Sequence, residues 1–531
     1  MHPSPELATI RWHLLPAYQQ LAQAELTSTR WLQPPDAQVV KDGPHRTVWR
    51  VRVGDLVLYC KRCKIWNLRA WLRQWLRPAK ARIEFDKSQE MRQRGIPTYE
   101  PVGWGRRHWL WPSESYLLTV ERPNAVPLDL YIEQILPSES VVRQYQLAEE
   151  LGRFVAFLHD QGVLHHDLHP GNLLVEVGSS FRFFVLDLHA IELGPPLTDR
   201  QAQDNLVVFN RYFSLRTTLT QRLRFWRAYC QARLTGTLDP RSACKRIEAR
   251  TLRSNLALWR AREKRCQREG RQFYVVGGQA ACGYAVRDLD SALAARLARD
   301  PDAPFTAPDA RWLKDSRSST VVELMLDGRP VVYKRFRVTK WTDPLANCVR
   351  RSAALRSWIM GHAMLDRQLP TPRPLLLLQR YRWGMPAEGY VLFERVTGQD
   401  LHACIAAGWP RGLEQRLGRL LARMHRSGLS HRDLKASNIL FDPAKGQFHI
   451  LDLVGMDSPG RLSKRRCIRD LMRLAVSLGP SVRRSVRLRF LLAYLLAYLG
   501  DRSEWKWWWR QIDRAGTAKR NRNARRNRPL H

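Results

Sequence analysis

Two separate stretches of the chain open with short runs in which β-branched or aromatic residues alternate with polar ones. The first stretch holds TVWRVRV and LVLYCKR, and the second holds STVVELML and PVVYKRF. Alternation with a period of two indicates strands that bury one face. Gly54-Asp55 and Asp327-Gly328 separate the two runs of each stretch, so we expect one antiparallel hairpin in each.

After each hairpin the apolar spacing changes to the helical period. A basic amphipathic helix comes next, then a pair of strands ending in LLTVE or VLFER, and then a long helical region. Strands first and helices later predict an α+β fold with a small β-rich lobe and a larger helical lobe. Because the order occurs twice, we expect two tandem bilobal domains.

The two stretches are copies of one another. Polar identities recur at an offset of 273 residues, which later shortens to 266 and then 265; they pair Lys61 with Lys334, Glu121 with Glu394, Asp167 with Asp433, Asn172 with Asn438 and Asp187 with Asp452. A duplication explains such a row of matches. We expect a first domain at 1–235, a helical connector at 236–299, a second domain at 300–514 and a disordered basic tail at 515–531.

The composition adds a strong positive charge. Lys and Arg number 88 against 49 Asp and Glu, which gives a net charge of +39. This surplus indicates an anionic partner, either nucleic acid, an acidic membrane surface, or a phosphorylated or carboxylated substrate. No nucleic-acid-binding motif is recognisable, so we expect no specific nucleic acid partner.

The location is expected to be cytoplasmic. The first residues lack a basic region leading into an apolar run, so no signal peptide is predicted. The nine cysteines are odd in number and scattered, as in a protein with reduced thiols. The apolar stretch 490–499 is about half of the roughly 20 residues that a membrane span needs, and we interpret it as a buried helix.

Each copy carries an H-x-D-L-x-x-x-N sequence, which is typical of the catalytic loop of protein-kinase-like enzymes. The Asp is expected to accept the proton of a substrate hydroxyl, and the Asn five residues later to hold magnesium. The His is expected to brace the loop backbone. These residues are His165, Asp167 and Asn172 in the first copy, and His431, Asp433 and Asn438 in the second.

A second acid follows each loop at the end of an apolar strand. Asp187 and Asp452 stand where the Asp of a D-F-G triplet would bind magnesium across the β- and γ-phosphates. The Phe and Gly of that triplet are absent from both copies. An activation switch of the D-F-G type is therefore not expected.

A lysine closes an early strand of each copy. Lys61 and Lys334 occupy the place of the lysine that contacts the α- and β-phosphates. Glu84, in the helix that follows, could orient Lys61, but Ser357 stands at the aligned position of the second copy. Either another acid holds Lys334, or the second copy binds ATP less well.

The rest of the nucleotide site is less distinct. No G-x-G-x-x-G loop is present, although the turns at 41–44 and 315–319 could offer backbone N–H groups to phosphates. Glu121 and Glu394 end the strand that enters the inter-lobe hinge, where backbone groups would meet adenine. We count both as candidate nucleotide-binding residues.

Together these motifs resemble the lipopolysaccharide core kinase family, which phosphorylates heptose or Kdo sugars. The resemblance covers both halves and includes the turns Gly95-Ile96-Pro97-Thr98 and Leu369-Pro370-Thr371-Pro372. It implies ATP and Mg²⁺ as cofactors, transfer of the γ-phosphate to a hydroxyl, and an anionic sugar or glycolipid as acceptor.

The two loops leave alternatives open. The first, HHDLHPGN, also resembles small-molecule and sugar kinases. The second, HRDLKASN, resembles protein kinases, with Lys435 placed to touch the γ-phosphate. A Ser/Thr protein kinase is therefore one alternative, and a non-catalytic pseudokinase scaffold that binds nucleotide or lipid is another.

An apolar stripe runs along a basic helix of the first copy. Its residues are Leu68, Trp71, Leu72, Trp75 and Leu76, and arginines lie between them. Such a helix either packs on its own lobe or contacts an anionic membrane interface. If the acceptor is a glycolipid, contact of this helix with an anionic interface implies that the protein lies peripherally on the inner membrane.

Overall fold

A computed structural model describes residues 10–525, apart from residues 25, 27–31, 33–36, 44, 66–67, 76, 108–112, 235–238 and 481. The chain divides into two compact units, Met1–Ser254 and Asn255–His531. Each has its own sheet and helices, and the expected α+β class is confirmed. Two positions named above, Leu76 and Pro44, and residues 526–531 of the basic tail lie outside the described residues.

The first unit begins with strands and ends with helices. Its strands are β1 Arg11–Leu14, β2 Ala37–Asp42, β3 Arg46–Val53, β4 Leu56–Cys63, β5 Pro101–Arg106, β6 Ser115–Val120, β7 Ala125–Pro127, β8 Val163–His165, β9 Leu173–Val177, β10 Phe181–Val185 and β11 Ile191–Leu193. Its helices are α1 Gln19–Ala24, α2 Leu68–Trp75, α3 Lys80–Gln93, α4 Leu128–Leu130, α5 Val141–Asp160, α6 Asp199–Arg216, α7 Leu219–Ala232 and α8 Pro240–Arg265, which continues into the second unit.

Six of these strands form one antiparallel sheet in the order β1-β5-β6-β4-β3-β2, while β10-β9-β7 and β11-β8 form two small sheets. Helix α5 buries Leu147, Leu151 and Val155. It approaches α7 so closely that a Cβ on Gly152 would lie 2.4 Å from the carbonyl oxygen of Phe225. Glycine is therefore required at this crossing.

The second unit repeats this order with additions. Its strands are β12 Phe273–Gly277, β13 Cys282–Val286, β14 Arg311–Asp315, β15 Ser319–Leu326, β16 Arg329–Phe336, β17 Pro374–Arg382, β18 Met385–Glu394, β19 Gln399–Asp400, β20 Ser430–His431, β21 Ile439–Asp442, β22 Gln447–Ile450 and β23 Met456–Asp457. Its helices are α9 Ser291–Arg299, α10 Asp343–Val349, α11 Ala353–Asp366, α12 Leu401–Ala406, α13 Leu413–Arg426, α14 Lys464–Ser477, α15 Arg484–Leu499 and α16 Trp505–Arg525.

Its main sheet has seven strands in the order β12-β13-β17-β18-β16-β15-β14. The predicted hairpins are confirmed in both units, and their registers agree. Val48 pairs with Lys61 between β3 and β4, and Val321 pairs with Lys334 between β15 and β16. The two lysines therefore hold the same place in their sheets.

The expected connector at 236–299 is different in the structure. Beyond α8 it contributes β12, β13 and α9 to the second unit, because β13 pairs with β17 and the apolar face of α9 is buried in the core. The basic tail also differs from the expected disorder up to residue 525. Helix α16 spans that part and buries Trp508 and Gly516.

The apolar stretch 490–499 lies in α15, which buries Leu491, Ala493, Tyr494 and Leu495. Among the described residues, no helix is both long and apolar enough to cross a membrane.

Candidate active site

The catalytic-loop sequence of the first unit folds around a buried histidine. His165 ends β8, and its Nδ1 accepts a hydrogen bond from the backbone N–H of Asp167 at 3.2 Å. Burial lowers the pKa of His165 to about 4, so the ring is neutral and its Nε2–H donates to the carbonyl of Leu186 at 3.2 Å. Asn172 closes the loop, because its Nδ2 donates to the carbonyl of Asp167 at 2.9 Å.

The second unit repeats these contacts. His431 Nδ1 accepts from the N–H of Asp433 at 3.1 Å, its Nε2 lies 3.1 Å from the carbonyl of Leu451, and burial lowers its pKa. Asn438 Nδ2 donates to the carbonyl of Asp433 at 2.9 Å. Lys435 brings its Nζ within 3.4 Å of the carboxylate of Asp433.

Both strand-end aspartates adopt a left-handed backbone. The φ angles of Asp187 and Asp452 are 58° and 52°, a region that costs a non-glycine residue roughly 1 kcal/mol or more. The adjoining backbone holds this conformation, since the N–H of Leu186 donates to the carbonyl of Asn172 at 2.8 Å. The same rare conformation occurs in both units. This indicates that the direction of the carboxylate matters for the site.

In the first unit, that carboxylate meets the strand lysine. Lys61 Nζ lies 2.8 Å from Asp187 Oδ1 and donates to both carboxylate oxygens of Glu84, at 2.8 and 2.9 Å. Burial acts to lower the pKa of Lys61, but the charges of Glu84 and Asp187 outweigh it and raise the pKa. The lysine is therefore charged between two acids.

Two further cations contact Asp187, and the sequence motifs did not identify either of them. Arg46 Nη1 lies 3.0 Å from Asp187 Oδ1. His189 Nδ1 lies 3.0 Å from the same oxygen and 3.4 Å from Glu84. Hydrogen bonds to Asp187 and Glu84 raise the pKa of His189 to about 9. Burial acts to raise the pKa of Asp187, but His189 and Lys61 hold it well below its usual range.

The second unit keeps the pair but changes its surroundings. Lys334 Nζ lies 2.8 Å from Asp452 Oδ1, and the charge of Lys334 outweighs burial to lower the pKa of Asp452. Ser357 stands at the position of Glu84, and Val454 at that of His189. The acid and the histidine that it contacts are thus absent together. Comparing the triplets after the two aspartates could have revealed this.

The hinge glutamates are not gathered at the lysine–aspartate pairs. Glu121 accepts hydrogen bonds from Arg50, at 2.7 and 2.8 Å, and from the Tyr59 hydroxyl at 3.2 Å. Glu394 lies 3.2 Å from Arg373. Their side chains contact strand residues, and any contribution to a nucleotide site would come from the neighbouring backbone.

The Pro-Thr turns have a structural role that sequence reasoning did not assign. Thr98 Oγ1 donates to the carbonyl of Val185 at 2.7 Å, and Thr371 Oγ1 donates to that of Ile450 at 2.8 Å. Each accepting residue lies two positions before the strand-end aspartate. The turns therefore help to fix the strand that presents Asp187 or Asp452.

The donor set of each unit fits magnesium. Magnesium prefers carboxylate and carbonyl oxygens, which Asp187 with Asn172, and Asp452 with Asn438, supply. The amide Nδ2 of each Asn is used within the loop, while its Oδ1 accepts no protein hydrogen bond from the residues that the structure describes. In the first unit, Glu84, Asp187 and His189 also bring ligand atoms within 4.8 Å of one another.

An ion pair between a strand lysine and a strand-end aspartate is typical of protein-kinase-like phosphotransferases when it lies next to a loop that carries an Asp and an Asn. The profile of the lipopolysaccharide kinase (Kdo/WaaP) family matches residues 46–229 and 342–494 of this chain. The two segments together make up more than half of the chain. The chain therefore belongs to this family.

Several relatives are named 3-deoxy-D-manno-octulosonic acid kinase. One from Xylella fastidiosa is 35% identical over 103 residues, which are 19% of this chain and 41% of that protein. One from Stenotrophomonas maltophilia is 33% identical over 131 residues, 24% of this chain and 52% of that protein. One from Xanthomonas campestris pv. campestris is 38% identical over 103 residues, 19% and 41% of the two chains.

The chain thus spans about half the length, or less, of these relatives. Among solved structures, one described as WaaP in complex with acyl carrier protein is 21% identical. The alignment covers 41% of this chain and 88% of that chain, with a TM-score of 0.33.

Proposed function

We propose that the chain is an ATP-dependent kinase with two tandem bilobal protein-kinase-like units, which transfers the γ-phosphate to a hydroxyl of a lipopolysaccharide core sugar, Kdo or heptose. One observation carries the proposal. In both units a strand lysine lies 2.8 Å from the strand-end aspartate, next to a loop that holds an Asp and an Asn. The names of the relatives support a Kdo-type acceptor.

The carboxylates of Asp167 and Asp433 orient the acceptor hydroxyl and accept its proton. Both are reachable, because their side chains are 67% and 55% exposed. Lys61 and Lys334 bind the α- and β-phosphates of ATP. His165 and His431 hold the loop backbone, and Lys435 lies where it can touch the γ-phosphate. Positioning and charge neutralisation then supply most of the rate.

Magnesium would be held by Asn172 and Asp187 in the first unit, and by Asn438 and Asp452 in the second. When bound, the metal neutralises charge on the β- and γ-phosphates. Glu84, the second acid that contacts Lys61, keeps the lysine next to Asp187. Lys334 has no such acid among the described residues, so we expect the second unit to bind ATP less tightly than the first.

The test is phosphate transfer by the full chain from radiolabelled MgATP to purified core oligosaccharide or to a peptide. We expect transfer to the oligosaccharide. Asp167→Asn and Asp433→Asn each remove the base of one unit and should lower the activity of that unit about 10²- to 10⁴-fold. Asp86→Asn, at an exposed site on α3, is the matched control.

Full activity in the Asp167→Asn/Asp433→Asn double variant would contradict the role given to these two aspartates, and absence of transfer to either acceptor by the wild-type chain would favour a non-catalytic scaffold. Transfer to the peptide in preference to the sugar would point to a protein kinase. That second candidate is favoured only by Lys435 beside Asp433.

We also infer peripheral contact with an anionic membrane through α2. Three of the five residues in the stripe predicted on this helix are exposed. Leu68 is 71% exposed, Leu72 52% and Trp75 49%. Exposed apolar side chains on a basic helix suit the interface of an anionic bilayer.

A further inference from the structure

The lysine–aspartate pair of the second unit lines a cavity in which five Lys or Arg outnumber the two acids, Asp343 and Asp452. The cavity has a volume of about 290 Å³, and its lining includes Lys334, Asp452, Arg350 and Arg356. Arg337 also lines it, but this guanidinium is held by Asp315 at 2.9 Å. Arg350 and Arg356 have no acidic side chain as an ion-pair partner among the described residues.

Arg356 occupies a position on α11 directly before Ser357. Its Nε is buried and has no hydrogen-bond partner in the described part of the chain. Burial lowers the pKa of Arg356, and the nearby charges of Arg432 and Arg350 lower it further. A buried guanidinium N–H without an acceptor is unfavourable, and an oxyanion is the group that satisfies several guanidinium donors at once.

Arg432 extends the cluster to the catalytic loop, since it directly precedes Asp433. Its backbone N–H donates to the carbonyl of Gly455 at 2.8 Å. Its side chain is exposed and donates to no carboxylate among the residues that the structure describes. Arg432 does not line the cavity, but its charge acts on Arg356, which does, and it directly precedes the aspartate that would receive the acceptor hydroxyl.

The first unit handles the same loop position differently. His166 stands at the position of Arg432, and its Nε2 lies 2.9 Å from Glu192. The strand registers align Glu192 with Asp457, since Leu164 pairs with Glu192 and Ser430 pairs with Asp457. In the second unit that acid contacts Arg466 instead, which leaves Arg432 without it.

The helix position differs too. The offset of 273 that relates the equally long helices α3 and α11 places Ile83 where the second unit has Arg356. Two cations that face the reaction centre in the second unit thus correspond to an isoleucine and to a histidine beside an acid. The same offset places Arg77 at the position of Arg350, so the first unit keeps one of the three arginines and only the second unit combines all three.

We propose that Arg350, Arg356 and Arg432 form an oxyanion-recognition site in the second unit, which binds a phosphate or carboxylate group carried by the acceptor near the hydroxyl presented to Asp433. The binding of an oxyanion by these arginines does not depend on the proposed kinase function. Its use in choosing the acceptor rests on the kinase function proposed above. The first unit, which has an arginine at only one of the three positions, should not share this preference.

The test measures binding of inorganic phosphate to the full chain by ³¹P NMR titration, with a saturating non-hydrolysable ATP analogue and magnesium filling the nucleotide sites. We expect Arg356→Gln and Arg432→Gln to weaken phosphate binding about tenfold each. Arg465→Gln, an exposed arginine on α14, is the matched control and should bind like the wild type. Arg350→Gln gives a third variant at a surface position where folding is not at risk.

Loss of binding in Arg465→Gln equal to that in Arg356→Gln would show general attraction to a basic protein and overturn the site. Arg356-dependent phosphate binding that occurs only when the ATP analogue is left out would assign the arginines to the nucleotide and also overturn it. Glucose 6-phosphate and glucuronate, used as competitors against glucose, separate a phosphate source from a carboxylate source. Competition by neither anion would contradict the proposal.

These outcomes are distinguishable from failure of the kinase proposal. Phosphate binding that depends on Arg356 but occurs without any phosphate transfer would leave the oxyanion site and remove the catalytic function. Phosphate transfer without Arg356-dependent phosphate binding would leave the catalytic function and remove the oxyanion site.

Discussion

Glu84 is buried with two hydrogen bonds from the Lys61 ammonium, and the second unit manages without it. Replacing Glu84 by Gln would leave a buried ammonium with Asp187 as its remaining acid partner. We expect the free energy of unfolding of the first unit to fall by about 3 kcal/mol, the scale found when one partner of a buried ion pair is removed. Urea unfolding of the full chain, followed by circular dichroism, measures the change.

Asp86→Asn is the control for that measurement. Asp86 lies on the same helix and pairs with Arg82 at 3.5 Å, with both side chains more than half exposed. An exposed pair of this kind contributes about 0–1 kcal/mol. Equal losses in the two variants would mean that Glu84 acts through helix charge in general and not through Lys61.

At this scale, the sequence was informative where a residue recurs in both units. Lys61, Asp187 and Asn172 could be found because their counterparts stand at fixed offsets. His189 was missed because its counterpart is Val454 and because one of its partners, Glu84, is distant in sequence. Such a contact exists only after folding brings α3 beside the turn that follows Asp187.

At the scale of elements, matching helices of the two units each carry a buried histidine, and the partner of that histidine is neutral in the first unit and acidic in the second. His159 on α5 contacts the Tyr229 hydroxyl at 2.9 Å, and His425 on α13 contacts that of Tyr494 at 2.8 Å. On the other side of each histidine ring lies a third residue. It occupies the same helix position in the two units but is of a different type. Asn205 Oδ1 is 3.1 Å from His159, whereas an Asp470 carboxylate oxygen is 3.5 Å from His425.

The two histidines should therefore respond oppositely to pH. Burial lowers the pKa of His159 to about 4, below its unfolded value near 6.5, so the first unit loses stability as pH falls from about 6.5 to 4. Burial opposes protonation of His425 as well, but Asp470 and Cys467 outweigh it and raise the pKa to about 9. The second unit therefore loses stability as pH rises from about 6.5 to 9.

Asp470→Asn tests this by giving the second unit the residue of the first. We expect the NMR titration of His425 to move from a pKa of about 9 to below 6.5, and the alkaline loss of stability, up to about 3 kcal/mol, to disappear. Asn205→Asp is the reciprocal variant and should raise the pKa of His159. An unchanged His425 titration in Asp470→Asn would contradict the assigned cause.

Elements found once were harder to predict than elements found twice. The hairpins at β3-β4 and β15-β16 alternate clearly and recur, and both were predicted. The sequence predicts a helical connector where β12 and β13 lie, because glycines interrupt both strands and β17, the partner that joins β13 to the main sheet, is about a hundred residues away. The basic composition of α16 hid the apolar contact that Trp508 makes with the core.

At the scale of the whole molecule, two sites share the four residues that we propose bind MgATP, and they differ in what surrounds them. The first has Glu84 and His189 against its lysine–aspartate pair. The second has Ser357 and Val454 there, and a cluster of arginines near the catalytic loop. Duplication followed by such changes favours two acceptors, or two steps on one acceptor, over a doubled dose of one activity.

The net charge of +39 and the exposed face of α2 lead to a prediction for the whole chain. The chain should bind vesicles that contain phosphatidylglycerol and should bind phosphatidylcholine vesicles much less. Raising NaCl from about 0.1 M to about 1 M shortens the Debye length from about 10 to about 3 Å, so binding should fall. Vesicle co-sedimentation measures the bound fraction.

The apolar part of that binding is separated from charge by a double variant, Leu68→Gln/Leu72→Gln. Each exposed leucine that enters a bilayer interface contributes on the order of 1 kcal/mol or more, so affinity should fall about tenfold or further. Val141→Gln/Val142→Gln is the matched control, since those side chains are 58% and 77% exposed at the start of α5. If both double variants sediment like the wild type while salt still releases the chain, its attachment is electrostatic and α2 does not insert.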